Sequence, residues 1–243
     1  MDPEYARRYR DLYERHWWWR AREALILRTL DELRPPEGWG AILDVGCGDG
    51  LFFDKLRRFG TSVEGVESDR TLVSEHGPWR GQIHVRAFDT TFQPARRYSL
   101  ILMLDFLEHL ADPESALRHA VHLLEPQGRI VVTVPAFTIL WTSHDEYNHH
   151  QTRYTRARLA RLAGQAGVRV DSTHYFFQWT CPVKLAQRMK ERALPGVPAP
   201  AGIPPRWANT ALYLLSRAEE TLLRSLPVPF GSSLLLVGGR ADG

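Results

Sequence analysis

The stretch Ile42-Leu43-Asp44-Val45-Gly46-Cys47-Gly48-Asp49-Gly50 decides how the rest of the chain is read. A largely apolar, strand-like run feeds a Gly-x-Gly-x-Gly turn, and a helix-like segment from Leu51 to Phe59 follows at once. Glycine is needed where a strand reverses tightly and its backbone must approach a ligand, because a Cβ would collide there. The spacing is not the Gly-x-Gly-x-x-Gly of the dinucleotide fingerprint. No Lys-Ser or Lys-Thr follows to make a phosphate loop. An acid, Asp44, stands two positions before the first glycine.

Strands and helices alternate downstream of this turn. Strands are expected at Thr61–Glu67, Gln82–Phe88, Tyr98–Leu104, Arg129–Val134 and Val168–Phe176, after a first strand over Trp39–Val45. Helices are expected at Arg70–Glu75, Pro113–Leu124 (with Asp112 as cap) and Arg156–Ala166. Tyr98–Leu104 is almost wholly apolar after Ser99, as a strand covered on both faces should be. Such alternation predicts an α/β fold, a Rossmann-like, seven-stranded, mostly parallel sheet with helices on both faces. Residues 4–33 read as helix in two parts, ended by Pro35-Pro36 and Gly38. The carboxyl-terminal part leaves the rhythm. Helices are expected at Pro182–Ala193 and Trp207–Leu226, a Pro-, Gly- and Ala-rich loop at 194–205, and a last strand at Ser232–Val237. The expected organisation is a single domain over 1–243: an amino-terminal helical cap at 1–36, a core at 37–176, a helical insertion at 177–230, and a last strand and tail at 231–243.

Composition narrows the function classes. The 243 residues carry a net charge of only +3, and the basic residues are spread out, so charge does not argue for nucleic acid. The cysteines, Cys47 and Cys181, are too few and too far apart for a disulfide framework or a zinc motif. No signal-peptide apolar core follows Met1, and no run of about 18 apolar residues could span a bilayer. The expectation is a soluble protein of a reducing cytoplasm.

The turn and its preceding acid resemble motif I of the class I S-adenosylmethionine (SAM)-dependent methyltransferases. The resemblance implies that Asp44, Gly46, Cys47, Gly48 and Gly50 hold the methionine part of SAM. Asp44 would orient the amino group, with capping of the turn as its alternative. It also implies an acid at the end of the next strand that accepts the ribose hydroxyls. Glu67, with Ser68 beside it, stands 21 positions after Gly46 and fits. Phe88-Asp89-Thr90 would meet the adenine, Asp89 accepting from its amine and Phe88 packing on the ring, although Asp89 also suits an ordinary turn. Leu104-Asp105 would close the fourth strand end. Glu108-His109 can equally be a helix start. Leu124-Glu125-Pro126-Gln127-Gly128 is similar to the family's helix-to-strand turn. Cys47 reads as a small packing residue rather than a nucleophile. The cofactor implied is SAM, with S-adenosylhomocysteine as product.

Acid–base groups concentrate in Trp141-Thr142-Ser143-His144-Asp145-Glu146-Tyr147-Asn148-His149-His150-Gln151-Thr152-Arg153-Tyr154-Thr155. The segment resembles a bacterial subgroup with a His-Asp pair followed by a His-x-x-Arg-Tyr-Thr run; His149 is extra. Three readings stay open. His144 or His150 is a general base oriented by Asp145; the cluster binds a metal, although the ligand spacing is poor; or it is a buried polar network, with Arg153 structural.

The implied activity is methyl transfer from SAM to a small-molecule acceptor. O-methylation of a secondary metabolite, sugar or quinone-type compound by in-line displacement with a His base comes first. N-methylation of a small amine, or SAM binding without catalysis, are the alternatives. Trp17-Trp18-Trp19 packs on the core or forms a lid over SAM. About 50 residues separate the last two strands, far beyond ordinary loops. They would cap the acceptor site together with the amino-terminal helices. Phe176, Phe177, Trp179, Val183, Leu185 and Met189 beside Lys184, Arg188, Lys190 and Arg192 would make either a peripheral membrane or lipid-linked substrate contact, or a packed helix with a solvated basic side.

Overall fold

The computed structural model describes residues 3–194 and 202–241, so the centre of the expected 194–205 loop lies outside the described residues. Two helices come first, α1 (Pro3–Arg15) and α2 (Trp17–Leu33). They break at His16, whose extended backbone ends one helix and whose imidazole caps the next, accepting from the Trp18 N–H at 3.1 Å. On α2 the residues Ala21, Arg22, Leu25, Ile26, Thr29 and Leu30 form one buried stripe at helical spacing.

The elements β1 (Trp39–Val45), α3 (Phe53–Leu56), β2 (Gly60–Glu67), β3 (Ile83–Val85), β4 (Tyr98–Leu104), α4 (Pro113–Leu123), β5 (Leu124–Pro135), α5 (Ser143–Tyr147), α6 (Arg156–Gln165), β6 (Val168–Phe176), α7 (Thr180–Ala193), α8 (Arg206–Leu223) and β7 (Ser233–Arg240) follow. The strands form one seven-stranded sheet in the order β3-β2-β1-β4-β5-β7-β6. Only β7 runs antiparallel to its neighbours. The order reverses between β1 and β4, so the cleft at the carboxyl ends of those strands is where this architecture binds ligands.

Alternate strand residues feed two cores. Leu43, Val45, Ile101 and Met103 pack with Leu117 and Ala120 of α4 and Leu159 of α6 on one face. Ile42, Leu100 and Leu102 pack with Leu25, Ile26 and Leu30 of α2 and Phe53 and Leu56 of α3 on the other. Helices on both faces are as the strand–helix alternation predicts.

Three local expectations are corrected. The helix expected at Arg70–Glu75 is only a three-residue 3-10 turn, Arg70–Leu72, capped by the Asp69 side chain. The segment 51–59 holds only the single turn of α3, because its flanks close three-residue turns instead: Phe53 N–H donates to Gly50 O at 3.0 Å and Phe59 N–H to Leu56 O at 2.9 Å. The strand expected over 82–88 stops at Val85. The Arg86 N–H is shared between Glu67 O at 2.9 Å and His84 O at 3.1 Å, which turns the chain out of the ladder.

The long connection between β6 and β7 is built into the fold. Asn209 of α8 bridges the α1–α2 break, accepting from Trp17 N–H at 2.8 Å and donating to Arg15 O at 2.7 Å. Glu219 of the same helix accepts from the Gln178 and Trp179 N–H groups at 3.0 and 2.6 Å, satisfying donors at the start of α7. Arg28 of α2 pairs with Glu220 at 3.3 Å. Asn209→Ala should therefore lower the unfolding free energy by about 1 kcal/mol, because it removes the partner of two part-buried backbone groups. Urea denaturation checks this; an unchanged midpoint would mean the bridge contributes nothing.

Candidate functional site

Gly46, Gly48 and Gly50 all adopt left-handed backbone, with φ of 77°, 54° and 69°. Gly46 N–H donates to Val66 O at 2.8 Å, docking the turn on the end of β2. Glu67 completes the joint. Its two oxygens accept from Gly48 N–H at 3.0 Å and Asp69 N–H at 2.8 Å, so the acid is fixed at the expected strand end. A Cβ at Gly48 would meet nothing within 4 Å, so the turn presents bare backbone to open space there. Room beside the glycine backbone next to a fixed carboxylate suits a nucleoside with a polar tail, and the residues present fit SAM.

Asp44 is buried beneath the turn, and burial pushes its carboxyl up to about 7; the Arg22 charge opposes the rise and the Glu67 charge adds to it. Burial likewise raises Glu67 against the pull of its two backbone donors. Cys47 lines a cavity of about 50 Å³ with Asp44, Gly46, Leu104 and Arg22, below α1 and α2. Burial, with Asp44 and Glu67 next, pushes its thiol far up, which fits a packing residue and not a nucleophile.

Arg22 is absent from the sequence-based candidates, yet it ties this end of the cleft together. Its guanidinium pairs with Asp105 at 2.6 Å and donates to Thr133 Oγ1 at 3.3 Å, linking α2 to the ends of β4 and β5. Asp105 itself has a φ of 51°, strained for a residue with a side chain, and is held by Thr133 through O at 2.9 Å and Oγ1 at 3.1 Å. The signal for Arg22 is a charge standing on the apolar stripe of an amphipathic helix, one turn before Leu25 and Ile26. Trp17 and Trp18 pack on Phe177 at ring separations of 5.9 and 5.8 Å.

The adenine candidates lie just past β3. Asp89 is exposed and folds onto its own turn, accepting from Thr91 N–H at 2.9 Å and Thr91 Oγ1 at 2.6 Å. Phe88 is buried against His119, Phe92 and Phe106, a core neighbour rather than a free ring face. The early end of β3 explains both, since the chain has left the sheet before these residues. Thr90 and Ser68 are exposed.

On the acceptor side, α5 and the loop after it wrap one carboxylate. Asp145 is 0% exposed. Arg153, 2% exposed, grips it with two donors, Nε to Oδ1 at 2.8 Å and Nη2 to Oδ2 at 2.9 Å, and sends Nη1 to Ala136 O at 2.9 Å. The Thr142 N–H donates to Oδ2 at 2.9 Å in a capping box. His150 Nδ1 lies 2.9 Å from Oδ1. Burial alone would raise this carboxyl, but the His150 and Arg153 hydrogen bonds and the Arg153 charge hold it well below the usual carboxylate range.

An ionised carboxylate only accepts, so Nδ1 of His150 carries a hydrogen, and the lone pair of the neutral ring is then on Nε2. Of the two candidate histidines it is His150, not His144, that Asp145 orients. His144 sits beside Asn148, and burial, with Lys184 next, pushes it down to about 4. Asp145, grouped with the catalytic residues on sequence, is enclosed, and its partners are His150, Arg153 and the Thr142 N–H. The polar-network reading also has its geometry here, since Arg153 is bound on every side.

His150 meets the turn after β4. Gln151 N–H donates to Glu108 O at 2.7 Å, and the His109 and His150 rings stand edge to face at 4.8 Å. One ligand atom from each of Glu108, His109 and His150 lies within 4.8 Å of the others, so these three can hold a metal ion. Glu108 is 1% exposed and its Oε2 has no hydrogen-bond partner. Burial, with the Asp105 charge second, pushes it well up. Lys184, expected on a basic outer face, is half-buried and turned inward. Burial and the Arg153 charge lower it to about 8 against Asp145 and Asp105, so it adds a cation to this wall.

A family model described as a methyltransferase domain matches residues 18–173. The chain belongs to the class I SAM-dependent methyltransferases, whose cofactor is SAM. Within that class it is 26% identical over 157 residues to the ubiquinone biosynthesis O-methyltransferase of Aeromonas salmonicida, covering 55% of this chain and 66% of that one, less than two thirds of the relative's length. A SAM-dependent methyltransferase from Clostridium acetobutylicum shares the fold, with TM-score 0.58, 8% identity and coverage of 92% of each chain. So does one from Archaeoglobus fulgidus, with TM-score 0.56, 18% identity and coverage of 89% of this chain and 93% of that chain.

The raised Asp44 carries a stability signature. Between its unfolded value near 3.8 and about 7, the folded state keeps a proton that the unfolded state has released. The ligand-free protein should therefore lose stability as pH rises through this window, then level off, with Glu67 adding in the same sense. Asp44→Asn should flatten the slope and melt higher than the parent at about pH 8. Thermal melts across pH decide it; a parallel slope in both proteins would contradict the burial argument.

Proposed function

We propose that this chain methylates a hydroxyl of a small molecule, with a phenolic or quinone-type ring as the first acceptor class. The His150–Asp145 pair carries the reading: a buried acid fixes the tautomer of an imidazole whose other nitrogen is free, on the carboxyl edge of the sheet that carries the glycine turn. The name of the Aeromonas relative supports the oxygen acceptor and the quinone-type ring.

SAM, when bound, supplies an electrophilic methyl group on a sulfonium that leaves as a neutral thioether. Glu67 would hold its ribose, the turn over Gly46, Gly48 and Gly50 its methionine part, and Asp44 the amino group. Asp44 must then ionise, so SAM affinity should rise with pH through about 7 and binding should release a proton below it. The His150 Nε2 takes the acceptor's hydroxyl proton as the oxygen attacks, and Asp145 stabilises the imidazolium. Lys184 offers a charge for an anionic group on the acceptor.

The unpartnered Glu108 Oε2 favours one second reading: a divalent cation held by Glu108, His109 and His150 lowers the acceptor's pKa in place of a free imidazole base. Single-turnover methylation of hydroxylated aromatic acceptors tests both. His150→Gln should slow the chemical step by about 100- to 10,000-fold, with a smaller loss for acceptors of lower pKa. Chelation with EDTA should leave the parent rate unchanged. A near-parental rate in His150→Gln sinks the base assignment; abolition by EDTA with rescue by Mg²⁺ moves the proposal to the metal reading. Methylation of amines alone would favour the N-methyltransferase alternative, and SAM binding without turnover the non-catalytic one.

A further inference from the structure

The helix α8 inverts the usual polarity of a surface helix. Its outward positions include Trp207, Ala211, Leu214, Ala218 and Leu222, spaced four, three, four and four apart along one side, with Leu215 and, just past the helix, Leu226 also exposed. Trp207 is 78% exposed and Leu222 71%. From 207 to 226 no exposed residue is charged. The charged side chains of α8 beyond Arg206 turn toward the protein, where Glu219 binds the start of α7 and Glu220 meets Arg28, Arg217 and Arg224. A helix in water places its charges outward, so this face is built for an apolar contact.

The neighbouring helix supplies a sign. On α7 and just past it, Val183, Leu185, Met189 and Leu194 are exposed, and the exposed charges are Lys190 and Arg192. The one acid of α7, Glu191, is turned to Ser143, accepting from its N–H at 2.9 Å and its Oγ at 2.8 Å. Arg206 opens α8 and is also exposed. The sequence joining the helices, Leu194 to Pro205, contains no charged residue. No helix among the described residues is long and apolar enough to cross a membrane.

We propose that the outer faces of α7 and α8 dock on an anionic lipid bilayer, the apolar side chains entering the interface and Lys190, Arg192 and Arg206 meeting the headgroups. Both parts of an interfacial anchor are present: an apolar face rimmed by an aromatic residue, and flanking positive charge with no exposed acid among it. A second copy of the chain would satisfy the apolar face but not the uniform sign of its border, since like charges gain nothing from each other. The anchor also touches the site. Arg188 of α7 donates to Thr138 O at 2.6 Å and Trp141 O at 3.3 Å, and Glu191 holds Ser143, so the docking helix braces the segment that leads into Asp145.

Co-sedimentation of the full chain with phosphatidylcholine vesicles, with and without phosphatidylglycerol, tests this without SAM or acceptor and so stands apart from methyl transfer. Binding should need the anionic lipid and weaken with salt. The triple variant Trp207→Ser, Leu214→Ser, Leu222→Ser should lose about tenfold or more in partitioning with its circular dichroism and melting unchanged, since these side chains touch solvent. The charge variant Lys190→Glu, Arg192→Glu, Arg206→Glu should lose the phosphatidylglycerol dependence. No sedimentation with either vesicle overturns the proposal. So does concentration-dependent dimerisation that the triple variant abolishes and vesicles do not displace.

Discussion

A carboxylate removed from water must be neutralised where it lies, and Asp145 organises one side of this molecule for that reason. Its two oxygens are shared among Arg153, His150 and the Thr142 N–H. Each partner draws in a separate piece of chain: the arginine reaches the end of β5 through Ala136 O, the amide starts α5, and the histidine brings the loop after it against the turn that follows β4. Removing either charge would leave the other buried and uncompensated, at about 3–5 kcal/mol. The network is therefore a scaffold, and under the proposed function it also sets the chemistry. The forces that close the loop also fix which nitrogen of His150 is free.

The other side of the cleft uses a different device. Glycines let the Gly48 amide turn toward one acid, Glu67, and Asp44 is kept nearly without water beneath them. Arg22 crosses from α2 to Asp105 and so couples the amino-terminal helices to the ends of β4 and β5. The two carboxylates are costly to ionise in the ligand-free protein, and a cationic ligand relieves that cost. Stability and affinity thus oppose each other at this site, as they do wherever buried charge waits for a partner.

The fold was legible because it depends on local chemistry. A tight turn that only glycine tolerates, followed by alternating strands and helices, leaves few topologies open, and Glu67 falls at the strand end that the spacing requires. The course of the chain after β3 was not legible, because the length of β3 is decided by where the Arg86 amide finds its acceptors, which leaves Phe88 in the core and Asp89 bonded to its own turn. Spacing could not choose between His144 and His150, which flank Asp145 at one and five residues; the choice follows from the return of the loop to the capping box. Arg22 and Lys184 escaped for a shared reason. Helical periodicity shows that a face exists but not what lies across from it, and long cationic side chains conceal an inward head behind an ordinary-looking stem.

A crystal structure of the complex with S-adenosylhomocysteine and a hydroxylated aromatic acceptor tests the central claim most directly. The acceptor oxygen should lie within about 2.6–3.2 Å of His150 Nε2, with Nδ1 still on Asp145 and the sulfur facing the oxygen across the space a methyl group would fill. An acceptor oxygen facing His144, or a His150 ring turned away from it with Asp145 still paired, would contradict it.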